Sequence, residues 1–165
     1  NAGDIEYRGL EIDGVYTMTD AVTMVASLGY VHSKYKNLIS DLTGDFIIDA
    51  LDYALEVPRA APLTYSLGFN IDGNLGTWRS ITRISYYHRD KSYYNENNQG
   101  FINEQDILNF GYDIYSSDGK INIGIYGKNL SNEVKHGGDT NLSFGGTFAP
   151  LAKGKIVGAE LVYKF

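Results

Sequence analysis

PLTYSLGFNIDGN, residues Pro62–Asn74, decides the fold class. Leu63, Tyr65, Leu67, Phe69 and Ile71 alternate with Thr64, Ser66, Gly68, Asn70 and Asp72. Successive side chains of a β-strand point to opposite faces, so this period of two makes one face apolar and the other polar. A helix, with its period of about 3.6, would scatter both sets around its axis. The stretch is an amphipathic strand that runs into a Gly-containing turn.

Working outward, the same period recurs in about seven segments. Before this strand lie about Asp4–Met18, with Leu10, Ile12, Tyr16 and Met18 opposite Tyr7, Gly9, Glu11 and Asp13, and about Ala21–Lys34, with Met24, Ala26, Leu28 and Tyr30 opposite Thr23, Ser27 and Gly29. After it come about Thr77–Arg89 (Trp78, Ile84 and Tyr86 opposite Arg79, Arg83 and Arg89) and about Gln105–Ser116 (Leu108, Phe110, Tyr112 and Ile114 opposite Asn109, Gly111 and Asp113). About Lys120–Asn129 sets Ile121, Ile123 and Ile125 against Asn122, Gly124 and Lys128, and about Lys155–Phe165 closes the chain on Leu161, Tyr163 and Phe165.

Three connections are tight, at Thr19-Asp20, Asn74-Leu75-Gly76 and Ser116–Lys120. The last holds Asp118-Gly119, a pair suited to the positive φ of a hairpin turn. The other three, about Lys34–Ala61, Asp90–Glu104 and Leu130–Gly154, are long, and long connections usually have a job. Short and long connections alternate, so they fall at opposite ends of an up-and-down meander. Short turns at one end and long loops at the other, on strands of about ten residues, are the plan of an outer-membrane β-barrel. Tyr16, Trp78, Tyr112, Tyr163 and Phe165 all lie near the short-turn end on the apolar parity, as an interfacial aromatic girdle requires. A soluble β-sandwich or lipocalin-like barrel also alternates. Against it stand the even strand lengths, the loop asymmetry and a polar face of Arg, Asn, Asp, Thr and Gly with few packing residues.

Composition sets the outer bounds. The chain has 165 residues, a net charge of −6 and no cysteine. The acidic balance argues against a nucleic-acid partner, and without thiols there is neither a disulfide framework nor a thiolate metal site. No run of about 18 apolar residues forms a transmembrane helix, which leaves a membrane barrel untouched because its alternation averages to a soluble-looking hydropathy.

The motifs resemble the C-terminal part of the β-barrel of TonB-dependent receptors of Gram-negative outer membranes. NAGDIEYRGLEIDG (1–14) is similar to the family's NAG…GvE strand through Asn1, Ala2, Gly3, Gly9, Glu11 and Gly14. TDAVTMVASLGYVHSKY (19–35) resembles its next hairpin arm, and VPRAAPLTYSLGFNID (57–72) its following strand, through Pro58, Pro62, Ser66 and Gly68. YGKNLSNE (126–133), with Gly127, Lys128, Asn129 and Leu130, is the most specific match, and an aromatic C-terminus completes the series.

The resemblance covers essentially the whole chain. It implies an all-β fold: about seven C-terminal strands of an antiparallel, up-and-down transmembrane barrel of 22 strands, the rest of the barrel and the plug domain being absent from residues 1–165. Seven strands leave two open edges, which lipid does not tolerate. The chain is therefore expected to be a piece of a larger receptor, shortened before Asn1 and ending naturally at Phe165. A complete eight-stranded barrel would need a further strand near Asn141–Ala149. The implied function is TonB-dependent uptake of a scarce nutrient (siderophore-iron, cobalamin or saccharide) at the outer membrane, this chain being wall and outer loops. The alternatives are a small structural or adhesive barrel and a soluble lipid-binding β-protein.

The implied partners are outer-membrane lipid, the remaining barrel and plug, the TonB complex through a missing N-terminal part, and the barrel-assembly machinery. That machinery would read Tyr163 and Phe165, although the usual pattern places Gly where Glu160 stands. Glu11, Asp13, Arg79, Arg83 and Lys128 are expected to face the lumen, with Asp72 and Asp113, pairing with one another or with a plug. Tyr87, Arg89, Tyr93 and Tyr94, in YYHRDKSYYNENN (86–98), are the ligand-loop candidates.

No catalytic set is present, and no enzyme activity or cofactor is expected. His32, His88 and His136 are scattered, no serine sits in a Gly-x-Ser-x-Gly elbow, and FGGTF (144–148) lacks the lysine and strand–helix setting of a phosphate cradle. Asp45, Asp49, Asp52 and Glu56 in TGDFIIDALDYALE (43–56) lack the ligand ladder of a calcium loop and are read as a solvated acidic loop with a short helical turn.

Overall fold

The computed structural model describes residues 3–135, 140–142 and 146–165. Asn1, Ala2, His136 and the Phe144-Gly145 pair of FGGTF lie outside them, as does the middle of the Asn141–Ala149 stretch. The elements in chain order are β1 (Gly3–Thr19), β2 (Val22–Leu38), α1 (Ala50–Tyr53), β3 (Leu63–Leu75), β4 (Trp78–Arg89), β5 (Ser92–Tyr93), β6 (Phe101–Ile102), β7 (Gln105–Tyr115), β8 (Ile121–Lys128), β9 (Thr140–Leu142), β10 (Gly146–Phe148) and β11 (Ile156–Tyr163).

Seven strands form one antiparallel sheet in the order β1-β2-β3-β4-β7-β8-β11, so every neighbour in space is the next long strand in sequence. The register preserves the two faces across the whole sheet. Ile12 pairs with Leu28, Leu28 with Tyr65, Leu67 with Tyr86, Ile84 with Phe110, Ile114 with Ile123 and Ile123 with Leu161. On the other face Asp13 pairs with Ser27, Ser27 with Ser66, Ser66 with Tyr87, Arg83 with Gly111 and Gly124 with Glu160. A slip of one residue would exchange the two sets, so the alternation fixes the register.

The tight connections are local. Thr19 Oγ1 accepts from Ala21 N (3.2 Å) and Val22 N (3.1 Å). The second turn is Gly76-Thr77 rather than Asn74-Leu75-Gly76, because Leu75 still pairs with Trp78 and Gly76 takes the positive φ of 62°. The third holds Gly119 at φ 70°, with Asp118 Oδ1 accepting from Lys120 N (3.0 Å) and from the Ser116 hydroxyl (2.5 Å).

The eighth-strand reading does not hold. β9 and β10 pair only with each other, in a two-stranded sheet apart from the main one. β5 and β6 form another small hairpin between β4 and β7.

A conventional core is missing. The buried hydrophobic residues among those described are Tyr35, Leu38 and Val57, and they sit beneath the loop after β2, with Leu42, Leu55 and Ala60 against them. Among the described residues no second layer covers the apolar face. Leu67, Ile84, Leu108 and Ile123 are in strands flanked on both sides, yet remain 39%, 37%, 37% and 38% exposed. On this face Trp78 and Tyr86 bracket β4 eight residues apart. At about 3.4 Å per residue and a barrel tilt of about 40°, that spans roughly 20 Å, close to the apolar band of an outer-membrane barrel.

Candidate functional site

Two places carry polar chemistry: the polar face of the sheet and the long-loop end. On the polar face the strand pairings set the partners. Arg79 Nη2 donates to Asp72 Oδ1 (2.6 Å), diagonally across the β3–β4 ladder. Arg83 donates to Asp113 across β4 and β7. Glycine makes room for the second pair, since a Cβ on Gly124 would come within 2.6 Å of Asp113 Oδ1. The Tyr126 ring lies across Gly158, where a Cβ would come within 2.5 Å of it. The Arg83–Asp113 pair, Gly124 and Tyr126 border an open depression of about 450 Å³, lined also by Asn109, Lys128 and Glu160 among others. It holds cations, carboxylates, an amide and a phenol, a set suited to hydrogen-bonding a polar ligand or a second protein surface.

The five lumen candidates share this face without forming one site. Arg83 and Lys128 line the depression, where the Lys128 ammonium stands 5.9 Å from the centre of the Tyr126 ring. Arg79 is nearer the short turns. Glu11 and Asp13 lie on β1, with four strands between them and Lys128 on β8, and share a separate hollow with Ser27, Gly29 and Thr64. Among the described residues neither carboxylate has an ion-pair partner.

At the long-loop end, Tyr87 points to the polar face opposite Ile107. Arg89 Nη2 donates to the buried Ser92 Oγ (2.8 Å). The Lys91 ammonium lies 4.9 Å from the Tyr93 ring centre, and the Arg59 guanidinium 4.7 Å from that of Tyr94. The four ligand-loop candidates thus lie along one segment that is braced to the loop after β2. Arg59 N donates to Tyr93 O (2.7 Å), while Glu56 and Asn98 exchange two hydrogen bonds of 2.8 Å.

Two hubs escaped sequence reading. Asp52 is fully buried, against the solvated-loop expectation. Its carboxylate accepts from Leu42 N (2.7 Å), Thr43 N (2.9 Å) and Asp49 N (2.9 Å), the last as the reciprocal half of the α1 capping box. The bond from Asp49 N, with those from Leu42 and Thr43, holds its pKa below the ordinary aspartate range. Asn129, at φ 50°, accepts from Glu133 N (2.9 Å) and donates to Glu133 O (3.0 Å) and Lys153 O (2.8 Å). Its own N–H donates to Asn109 Oδ1 (3.0 Å). The YGKNLSNE motif carries the signal for this second hub but does not name its partners. No group of three or more His, Asp or Glu able to hold a metal occurs among the described residues. At the other end, the rings of Tyr163 and Phe165 meet edge to face at 5.1 Å.

A scan of protein-family models gives no match, and neither does a search of curated protein sequences. Solved structures do match. The ferric yersiniabactin uptake receptor FyuA of Yersinia pestis superposes with a TM-score of 0.81 at 16% identity, over 100% of this chain and 24% of that one. The ferric preacinetobactin receptor BauA of Acinetobacter baumannii gives 0.75 at 13% identity, over 99% and 22%. The siderophore receptor PiuA of Acinetobacter baumannii gives 0.74 at 17% identity, over 99% and 22%. The chain therefore spans about a quarter of the length of these receptors. Such identities speak to fold, and on that level the resemblance to TonB-dependent receptors holds: the chain has the fold of a seven-stranded section of a TonB-dependent receptor barrel.

Proposed function

We propose that residues 1–165 are the C-terminal segment of the barrel of an outer-membrane receptor for TonB-dependent uptake of a scarce nutrient. The observation that carries this reading is the uncovered apolar face on a sheet with receptor-barrel topology. In water a contiguous patch of this size invites aggregation, whereas in a bilayer it is the required surface. A soluble β-sandwich would need a second sheet over it, and a closed small barrel would need β1 and β11 to pair. The strand order supports neither. The solved neighbours are transport receptors, which favours passage of a ligand over covalent chemistry. Their printed ligands favour a ferric siderophore over cobalamin or a saccharide.

In this reading lipid covers the apolar face, further strands complete both sheet edges, and a plug packs on the polar face. Glu11 and Asp13 await cationic partners from that plug, while Arg79, Arg83 and Lys128 line the lumen. Tyr87, Arg89, Tyr93 and Tyr94 belong to the loops that meet the ligand. TonB engages a part outside residues 1–165, and the assembly machinery reads Tyr163 and Phe165.

The test is uptake by cells with and without the full-length protein under iron limitation, using labelled ferric siderophores, cobalamin and saccharides. Loss of ferric-siderophore uptake alone is expected. Loss of another substrate instead would replace the siderophore, and unchanged uptake of all three classes would leave a structural barrel. Separately, deletion of Phe165 from the full-length protein is expected to lower the amount of folded barrel in the outer membrane, measured by heat-modifiable gel mobility. Equal amounts would show that the terminal aromatic is no assembly signal.

A further inference from the structure

At the outer end of β1 and β2 the apolar face gives way to a stretch in which cations outnumber carboxylates. On the outward parity of β1 and β2, beyond Leu10 and Tyr30, come Arg8, His32, Lys34 and Lys36, with Glu6 among them. Arg8 pairs with His32 and Glu6 with Lys34 across the ladder. The register shift between Asp4 and Ile5 leaves Lys36 without a cross-strand partner, and its ammonium turns to Glu6. Glu6 therefore holds three cations, Arg8 at 3.1 Å, Lys36 at 3.2 Å and Lys34 at 3.6 Å. One carboxylate cannot neutralise three cations, so the patch carries an excess of about two positive charges in a chain whose net charge is −6. The cationic side chains stay accessible, with 73%, 45% and 44% of Arg8, Lys34 and Lys36 exposed. Asp4, two residues before Glu6, is a second carboxylate; the Asn37 side-chain amide bonds it at 2.9 Å without neutralising it, so counting it lowers the excess to about one positive charge.

Position gives the patch its meaning. Tyr30 pairs with Leu63, the last residue of β2 matched to β3, and is followed outward by His32, Lys34 and Lys36. On the same face, Tyr65 stacks on His88 at 4.8 Å and lies 6.0 Å from Tyr86, marking the aromatic level where apolar surface gives way to headgroups. The cations begin two pleats beyond Leu28, the strand partner of Tyr65, with Arg8 opposite His32, and continue outward through Lys34 and Lys36 on the lipid side of the wall. Cations there meet phosphate at close range and in a low dielectric, each gaining on the order of fivefold in affinity.

We propose that Arg8, Lys34 and Lys36 form a binding site for the phosphate groups of an outer-leaflet glycolipid headgroup, its acyl chains lying along Leu10, Ile12, Leu28 and Tyr30. Glu6 spaces the three cations and sets the strength of the site. His32 flanks it and supplies a further hydrogen bond. The inference rests on the outer-membrane barrel reading and adds to it a specific lipid partner.

The experiment uses the full-length receptor reconstituted in phosphatidylcholine vesicles with and without bisphosphorylated lipid A. Heat-modifiable mobility reports insertion, and mass spectrometry of the re-extracted protein reports lipid A retained. The triple variant Arg8→Gln, Lys34→Gln, Lys36→Gln is expected to insert normally and retain on the order of a hundredfold less lipid A, the product of three such steps. Glu6→Gln, which leaves all cations in place, is expected to retain more than the wild-type protein. Free inorganic phosphate is expected to compete only weakly, because it lacks the acyl chains. Equal retention by wild type and triple variant, with both inserted, overturns the headgroup site and leaves the barrel standing. Failure of the wild-type protein to insert overturns the barrel reading and this site with it.

Discussion

At the short-turn end of the sheet each connection is shaped mainly by its own few residues, with one bond between turns from Ser117 Oγ to Thr77 O (2.7 Å), whereas the long-loop connections are held by side-chain hubs that reach ten or more residues along the chain. Thr19, Gly76 and Asp118-Gly119 bond or bend within their own turns. Asn129 reaches Lys153 and Asn109, Glu56 reaches Asn98, and Asp52 gathers the backbone of Leu42 and Thr43. The difference follows from backbone accounting. A two-residue turn leaves few N–H and C=O groups to satisfy, but a long loop folded over a sheet leaves many, and buried side-chain amides or carboxylates must serve them.

That contrast is open to attack by substitution. Asn129→Ala removes four side-chain bonds in a site only 8% exposed and places alanine at positive φ, which together cost about 3 kcal/mol. The urea midpoint of the full-length receptor in detergent should fall accordingly, and Asn129→Gly should recover only the backbone part. Asp52→Asn comes next. Hydrogen exchange across residues 39–56 should quicken on the order of tenfold or more while β3 and β4 stay protected, because the charged acceptor of three N–H groups is lost.

The same loop should respond to pH. Since the folded pKa of Asp52 is depressed, its contribution is present above the ordinary aspartate value of 3.8 and is lost as pH falls through the depressed value. Exchange across residues 39–56 should therefore rise in acid before that of the strands. At the other end, Gly119→Ala meets no atom within 4 Å, so its cost of about 1 kcal/mol is backbone strain at φ 70° alone. Arg79→Ala should be smallest, below about 1 kcal/mol in thermal stability, since its ion pair with Asp72 is largely exposed. A large loss from Gly119→Ala together with none from Asn129→Ala would invert the comparison.

The same division explains what could be read in advance. All seven wall strands, their faces and their tight connections follow from local alternation and turn chemistry, as at Leu63–Leu75. Two turns needed a shift of one or two residues, from Thr19-Asp20 to residues 20–21 because Thr19 keeps its ladder partner Val22, and from Asn74-Leu75-Gly76 to residues 76–77 because Leu75 keeps Trp78. The polar face was legible as a set, since parity alone placed Arg83 and Asp113 together on it. The buried role of Asp52 was not legible. Nothing in Thr43–Glu56 tells a capping carboxylate folded under the chain from one facing water, because its partner Leu42 is brought there by the loop's own path. The brace between Arg59 and Tyr94 escaped for the same reason, joining loops that sequence reading treats one at a time.

The strictly sequential strand order also has a kinetic side. Within the main sheet only the pairs β1–β2, β3–β4 and β7–β8 close over short connections, at residues 20–21, 76–77 and 116–120. Joining one hairpin to the next must close residues 39–62, 90–104 or 129–155, and against a two-residue turn the 24-residue connection costs about 2 kcal/mol more in chain entropy. The sheet should therefore assemble as hairpins that form early and fuse later, with the Asp52, Asn98 and Asn129 hubs acting as latches that make each fusion hard to reverse.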